Sequence, residues 1–391
     1  MPKYLIIGGG MTADSALQAI RENDKSGEVT MIGAEMHPPY NRPPLSKGLW
    51  KGDAEETIWR KPAEPDVELV LGRRVTALDL KKKSAVDDQG TNYTFEKLLI
   101  ATGGIVNTLP FGGDDIIYYR TFDDYQRLRA LAADKERFAV IGGGFIGWEV
   151  AAALAMNGRK VTLLFPQEGL GQRIFPHDLS QFLNSFYRDK GAEVAAGETV
   201  AGVERRGGGF VLNTAGGRSI EVDAIVAGIG IRPNVEPARA AGLQINNGIV
   251  VNERLQTRHA DVYAAGDVAE FFNPALGKRM RVEHEDAANS MGRAAGESMA
   301  GRPTAYHYLP FFYSDLFDLG FEAVGDLDSR LQTFADWKTP FREGVVYYLE
   351  HGRVRGVLLW NTWGQVDYAR SLIEEAGPFQ PSDLKGRLPV S

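Results

Sequence analysis

Two glycine clusters and one zero carry most of the chemistry legible in this chain. Gly8-x-Gly10-x-x-Ala13 follows the apolar run Tyr4 to Ile7, and Gly142-x-Gly144-x-x-Gly147 follows Phe138 to Ile141. In such a turn the first glycine lets the chain reverse sharply and the second lets backbone approach a pyrophosphate. The third small residue lets a helix pack on the strand. The phosphates then sit at a helix N-terminus, where free N–H groups and the dipole favour negative charge. An acid follows each cluster at the distance suited to a ribose hydroxyl: Glu35, 22 residues after Ala13, and Glu168, 21 residues after Gly147. Arg173 stands close enough in sequence to Glu168 to accommodate a 2′-phosphate. NADH is therefore preferred at the second turn, with NADPH left open. Asp267 follows Gly266 at the end of the apolar run Val262 to Ala265. Its carboxylate suits sugar-chain hydroxyls, and the competing use is an N-cap for the following turn.

The zero is the cysteine count. It excludes a redox dithiol, a thiol nucleophile and any cysteine-ligated zinc or iron–sulfur cluster. The run Glu283-His284-Glu285-Asp286 gathers metal-ligand types, but no second histidine completes a site, and no metal is expected. At 391 residues and 43% hydrophobic the chain can bury two or three domain cores without staples. A net charge of −7 argues against sequence-independent nucleic-acid binding, which needs a basic footprint. No stretch approaches the ~20 apolar residues of a membrane helix. The apolar run after Lys3 is too short for a secretory segment, so the default expectation is a cytoplasmic protein.

The elements that must position these residues repeat. Tyr4 to Ile7 reads as a buried strand and Met11, Ala16, Leu17 and Ile20 as a helix face. Gly27 is the expected helix terminator, with positive φ, and Val29 to Ile32 is the next strand. The same strand–turn–helix–strand order returns at Phe138 to Phe165. A polar, glycine-rich hairpin follows each copy, Val75 to Phe95 and Val200 to Val222. Each feeds an apolar strand ending in small residues, Leu98 to Gly103 and Ala224 to Gly228. These repeats predict an α/β fold: two Rossmann-like dinucleotide-binding domains plus an α+β C-terminal domain. The boundaries are 1–108 with 240–302, then 109–239, then 303–391. A helix is expected over about Ala287 to Ala300 and another from about Gln365 to Glu375. Antiparallel strands are expected at Val345 to Leu349 and Val354 to Trp360, with a loosely ordered tail from Lys385 to Ser391. The aromatic cluster over 306–321 is read as core, Tyr313 excepted.

With Ala101-Thr102-Gly103, Gly230-Ile231-Arg232-Pro233-Asn234 and Ala265-Gly266-Asp267 added in order, the chain resembles the two-dinucleotide-binding flavoproteins related to glutathione reductase. The resemblance covers nearly the whole chain. The segment Pro39-Tyr40-Asn41-Arg42-Pro43-Pro44-Leu45-Ser46-Lys47 places it with the non-disulfide branch. That branch holds ferredoxin and rubredoxin reductases, monodehydroascorbate reductases and apoptosis-inducing factor. Phe165-Pro166 through Gly169, Arg281 to Asp286 and Gly292 to Glu297 look most like apoptosis-inducing factor. Phe312-Tyr313-Ser314-Asp315 resembles the aromatic-Ser-Asp of the branch, with Tyr313 where apoptosis-inducing factor has tryptophan.

The resemblance implies FAD at the first turn and NADH, or NADPH, at the second. FAD would be held by Gly8, Gly10, Ala13, Glu35, Arg42, Lys47, Val75, Ala101, Thr102, Gly103, Arg120, Asp267, Glu283, His284 and Tyr313. The nicotinamide nucleotide would be held by Gly142, Gly144, Phe145, Ile146, Gly147, Glu149, Glu168 and Gly230. Lys47 and Glu149 would form an ion pair at the reactive edge of the flavin. Hydride passes between cofactors, so no protein acid, base or nucleophile need act. Electrons then leave from the flavin to a small carrier, a ferredoxin, a rubredoxin or a quinone. Lys278, Arg279 and Arg281 are candidates for a basic patch that docks an acidic carrier. The competing expectation is a redox-responsive binding protein with slow NADH oxidation. A homodimer is left open.

Overall fold

The computed structural model describes residues 3–60 and 67–388. The last three residues of the expected loose tail lie outside the described residues. The chain forms two compact units. The first comprises residues up to Arg42, Glu55–Ile105 and Arg232–Pro310, and the second Pro43–Ala54, Val106–Ile231 and the chain from Phe311 onward.

The first unit is built on a five-stranded parallel sheet in the order Val262–Ala264, Lys97–Ile100, Tyr4–Ile7, Val29–Ile32, Val67–Val70. Tyr4 to Ile7, Leu98 to Ile100 and Val262 to Ala264 are almost wholly buried. Burial on both faces is why these strands read as continuous apolar runs and do not alternate. Helix Met11–Asn23 packs on helix Glu285–Met299. The approach is close: a Cβ on Gly292 would lie 2.4 Å from the Thr12 carbonyl oxygen, and one on Gly296 only 2.3 Å from that of Ala16. An alanine inside a helix ordinarily gains about 1 kcal/mol over glycine. Here the methyl meets backbone on the facing helix, so the helices must part. Gly296→Ala is expected to cost about 2 kcal/mol net, read as a lower urea midpoint at unchanged slope.

The second unit repeats the plan. Its parallel sheet runs Ala192–Ala196, Lys160–Phe165, Arg137–Ile141, Ala224–Ala227, Ile116–Tyr118. In both sheets the strand before the glycine turn is central, so each turn lies where the strand order reverses, the position at which open α/β sheets bind ligands. This unit also holds a five-stranded antiparallel sheet in the order Phe311–Leu316, Leu319–Gly325, Arg353–Trp360, Glu343–Glu350, Gln332–Thr339, with helix Val366–Glu374 against it. His351 and Gly352 turn the hairpin with positive φ at both positions.

Two local expectations need correction. The segments after each nucleotide-binding motif are three-stranded antiparallel sheets, Val75–Asp79, Ser84–Asp87, Asn92–Thr94 and Val200–Arg206, Gly209–Thr214, Ser219–Val222. In the second, glycines serve both turns, Gly207-Gly208 and Gly216-Gly217; in the first, Gly90 serves one turn and Leu80 to Lys83 makes the other. The first helix ends at Asn23, capped by Asp24, and Gly27 lies outside the left-handed region. Its glycine is explained by room: a Cβ there would lie 2.6 Å from Asp24 Oδ2 and 2.7 Å from the Tyr4 ring. Asp24 is held by Lys3 Nζ at 2.6 Å and the Tyr4 hydroxyl at 2.9 Å. The Lys3 hydrogen bond, against some burial, keeps its carboxyl far below the usual range.

Candidate functional site

The first glycine turn is shaped by its neighbour strand. Gly8 has φ +135°, and a Cβ there would lie 2.1 Å from the Ala101 carbonyl oxygen, a position open only to glycine. Gly10 caps helix Met11–Asn23 with no side-chain hydrogen bond, and a Cβ on it would meet nothing within 4 Å. An uncapped helix N-terminus facing open space is what an incoming phosphate requires. Ala13 is fully buried behind it. Thr102 Oγ1 donates to the Asn234 carbonyl at 2.7 Å and Asn234 N to the Gly103 carbonyl at 2.9 Å. These bonds fix the Ala101-Thr102-Gly103 segment beside the turn.

Glu35 lies three residues beyond the strand Val29–Ile32. Its carboxylate accepts from the Tyr40 hydroxyl at 2.6 Å and from Arg42. Burial works against the Arg42 charge, yet Tyr40, Glu35 and Asp267 together raise its pKa above the ordinary value. Asp267 sits in the 3-10 turn Gly266–Val268, where its carbonyl accepts from Arg281. Burial pushes the His284 imidazole down to about 4 against the pull of Asp267, so it is neutral at pH 7. Glu283 pairs with Arg281 at 2.8 Å. The Val75 side chain is in the core of this unit. A network the sequence did not signal ties helix Met11–Asn23 to helix Glu285–Met299. Arg60 bonds Asp14, Ser15, Asn289 and the Met11 carbonyl, and burial raises the Asp14 pKa in spite of Arg60.

Of the three candidates for a basic patch, Lys278 and Arg279 are exposed and Arg281 is paired. Arg279 donates to the Val251 and Glu270 carbonyls, and Arg281 is bound to Asp267 and Glu283. The Arg281 charge is thus met by the Glu283 carboxylate, while Lys278 and Arg279 stay exposed with Arg279 steadied by backbone carbonyls.

In the second unit Gly142 has φ +123°, with a Cβ position 2.3 Å from the Gly228 carbonyl oxygen. Gly144 is the uncapped N-terminus of helix Phe145–Met156 and again faces open space. Gly147 approaches the turn so closely that a Cβ would lie 1.8 Å from the Gly142 carbonyl oxygen. Phe145 packs on Trp148 and Phe312, Ile146 lies against Gly228, and Gly230 accepts from Asn107 N. Glu168 is exposed beyond the strand Lys160–Phe165. The amide hydrogens of Glu168 and Gly169 go to Gln172 Oε1, and the Glu168 carbonyl accepts from Gln181 and Asn184. The loop is thereby fixed while the carboxylate faces solvent. Arg120 is half-buried just before the Thr121–Asp124 capping box.

The same unit brings Lys47 and Glu149 together. Lys47 Nζ lies 2.7 Å from Glu149 Oε1, with the side chains 13% and 3% exposed. Ser46 Oγ donates to Glu149 Oε2 at 2.6 Å, and Ser314 Oγ to Oε1 at 2.5 Å. Lys47 Nζ also lies 5.2 Å from the centre of the Tyr313 ring. The segment carrying Lys47 is pinned by the Tyr119 hydroxyl on the Leu45 carbonyl, by Asn157 on the Trp50 carbonyl and by Lys51 on Asp315. Among the described residues no three His, Cys, Asp or Glu side chains are placed to hold a metal ion, and no helix is long and apolar enough to cross a membrane.

Two parallel sheets, each with an uncapped glycine turn at its switch point, define a protein that binds two dinucleotides. Residues 2–292 match the family described as pyridine nucleotide-disulphide oxidoreductase, and the chain belongs to that family. It is an FAD-dependent NAD(P)H oxidoreductase. Apoptosis-inducing factor 1 of Dictyostelium discoideum is 34% identical over 95% of this chain and 78% of its own. The ferredoxin–NAD(+) reductase component of the anthranilate 1,2-dioxygenase system of Burkholderia cepacia is 35% identical over 97% and 96%. Among solved structures, the covalent putidaredoxin reductase–putidaredoxin complex matches with TM-score 0.90 and 28% identity, covering 97% of this chain and 95% of that one.

Proposed function

We propose that this protein takes hydride from NADH and passes the electrons on to a small carrier, a ferredoxin, a rubredoxin or a quinone. The observation that carries this reading is the chain's lack of cysteine beside two open dinucleotide turns. No dithiol can relay electrons, so they must leave from the flavin. Its ferredoxin-reductase relative and the putidaredoxin complex support a protein carrier.

In this reading residues 1–108 with 240–302 hold FAD, 109–239 hold the nicotinamide nucleotide, and 303–391 form the C-terminal domain. The amides after Gly10 and Gly144 bind pyrophosphate. Arg42, Asp267 and neutral His284 line the FAD chain. Lys47 meets the flavin edge, with its charge held in place by Glu149. Bound FAD supplies the chemistry: it accepts two electrons as hydride and releases them singly. The protein's own groups bind, orient and tune charge. A cytoplasmic location completes the reading, checked by fractionation, and light scattering reads whether the chain is a monomer or a homodimer.

The test is NADH-driven reduction of each carrier class under anaerobic conditions. Multiple turnovers with one class support the reading, and weak turnover with all three contradicts it. Glu168 gives a second check. Its fixed, solvent-facing carboxylate accepts from a ribose diol and repels a 2′-phosphate. Glu168→Ala is expected to weaken NADH binding roughly tenfold, the value of a charge-assisted hydrogen bond, and to tighten NADPH binding. Equal dissociation constants in variant and parent would remove Glu168 from the site.

The apoptosis-inducing-factor relative favours one second reading, a redox-responsive binding protein. An unchanged partner set and oligomeric state on reduction would exclude it.

A further inference from the structure

We infer that Ser314, locked by the indole of Trp148, is a positioning residue for the Lys47–Glu149 pair. The argument rests on the reading of Lys47 as the flavin-edge cation. Trp148 Nε1 lies 2.7 Å from Ser314 Oγ, which lies 2.5 Å from Glu149 Oε1. All three side chains are buried, Trp148 at 1%, Glu149 at 3% and Ser314 at 0% exposure.

An indole N–H can only donate. The serine oxygen must therefore accept from Trp148, and its single proton is directed to Glu149. A hydroxyl ordinarily rotates to suit its surroundings, and this one is fixed. Oε1 thus receives Ser314 and Lys47 together, while Oε2 receives Ser46. With these donors in place the carboxylate has one orientation, and Lys47 has one place to be.

Trp148 is itself held from both sides. Its ring stacks on Phe175 at 5.7 Å and packs on Phe145 at 4.8 Å, and its carbonyl accepts from the buried Tyr187 hydroxyl at 3.0 Å. Ser314 sits in strand Phe311–Leu316, opposite Phe321. A strand of the antiparallel sheet thereby sets the geometry of an ion pair built on a nucleotide-binding helix and a loop.

Two readouts test this. In the apoprotein, acylation of Lys47 by an amine-reactive ester is followed by mass spectrometry. In the holoenzyme, the limiting rate of flavin reduction and the NADH dissociation constant are separated by stopped flow. Ser314→Ala is expected to speed labelling of Lys47 several-fold and to lower the limiting rate about tenfold, at unchanged NADH affinity. Ser314→Thr, which keeps the hydroxyl, restores both. Trp148→Phe, which keeps an aromatic ring but removes the indole donor, frees the serine to rotate and gives a smaller effect on both readouts, its lost volume being read separately as stability. Combined with Ser314→Ala it adds nothing, because it acts through the same hydroxyl. Parental labelling and parental rate in both Ser314→Ala and Trp148→Phe would overturn the inference. Faster labelling with a parental rate would keep the positioning but overturn Lys47 as the flavin-edge group.

Discussion

Lys47→Ala is expected to slow reduction of the flavin by NADH about a hundredfold, the scale on which one preorganised charged donor acts in a dry site. FAD should stay bound, because in the proposed site the lysine is one of many contacts and the pyrophosphate is held at the Gly8 turn. The physical reason lies in the pair. Lys47 Nζ is 2.7 Å from Glu149 Oε1, and both side chains are largely shielded from water. The charge is fixed before the reaction begins and costs no reorganisation. The substitution also leaves Glu149 without its cation. Breaking a buried pair from one side costs roughly 3 kcal/mol, tempered here because Ser46 and Ser314 still donate. A thermal melt of the holoenzyme therefore accompanies the kinetics. Loss of rate with retained flavin absorbance places Lys47 at the reacting edge. Equal rates in variant and parent remove it.

Gly147→Ala should have an effect at least as large on nucleotide binding. The added Cβ would lie 1.8 Å from the Gly142 carbonyl oxygen, a backbone atom that no rotamer change can move. Helix Phe145–Met156 must shift off the turn, and the amides that face the pyrophosphate shift with it. NADH affinity is expected to fall at least about a hundredfold, while dithionite reduces the flavin as in the parent. Titration with NADH beside dithionite checks it, and an unchanged NADH dissociation constant would count against the turn. The first copy carries Ala13 at the equivalent place, fully buried, so the two turns need not be equally close.

Much of the fold was legible because it is written twice. Strands buried on both faces read as apolar runs, and the run before each nucleotide turn ends at a glycine with left-handed φ, Gly8 and Gly142. Val345 to Leu349 and Val354 to Trp360 were legible as paired strands because His351-Gly352 supplies the turn. Gly27 misled because a glycine needed for side-chain room has the same letter as one needed for φ. Arg281 misled because charge in the sequence does not say which acceptors it already satisfies, here the Glu283 carboxylate and the Asp267 carbonyl. The Trp148–Ser314–Glu149 chain joins neighbours on a helix to a residue 166 positions from the tryptophan. Only the packing of the antiparallel sheet beside that helix brings them together. Likewise, Pro43–Ala54 packs with the second unit although chain order attaches it to the first. The bonds that hold it, from Tyr119, Asn157 and Glu149, come from distant segments.

The most direct test of the reductase account is anaerobic stopped-flow reduction of the purified flavoprotein by NADH and, separately, by NADPH, followed at the flavin absorbance. The account predicts reduction by NADH at or above the ~10 s⁻¹ typical of enzyme turnover, faster than by NADPH, and rapid reoxidation on mixing with an oxidised carrier. Reduction far slower than that, ending in a long-lived charge-transfer band that no carrier discharges, would contradict it.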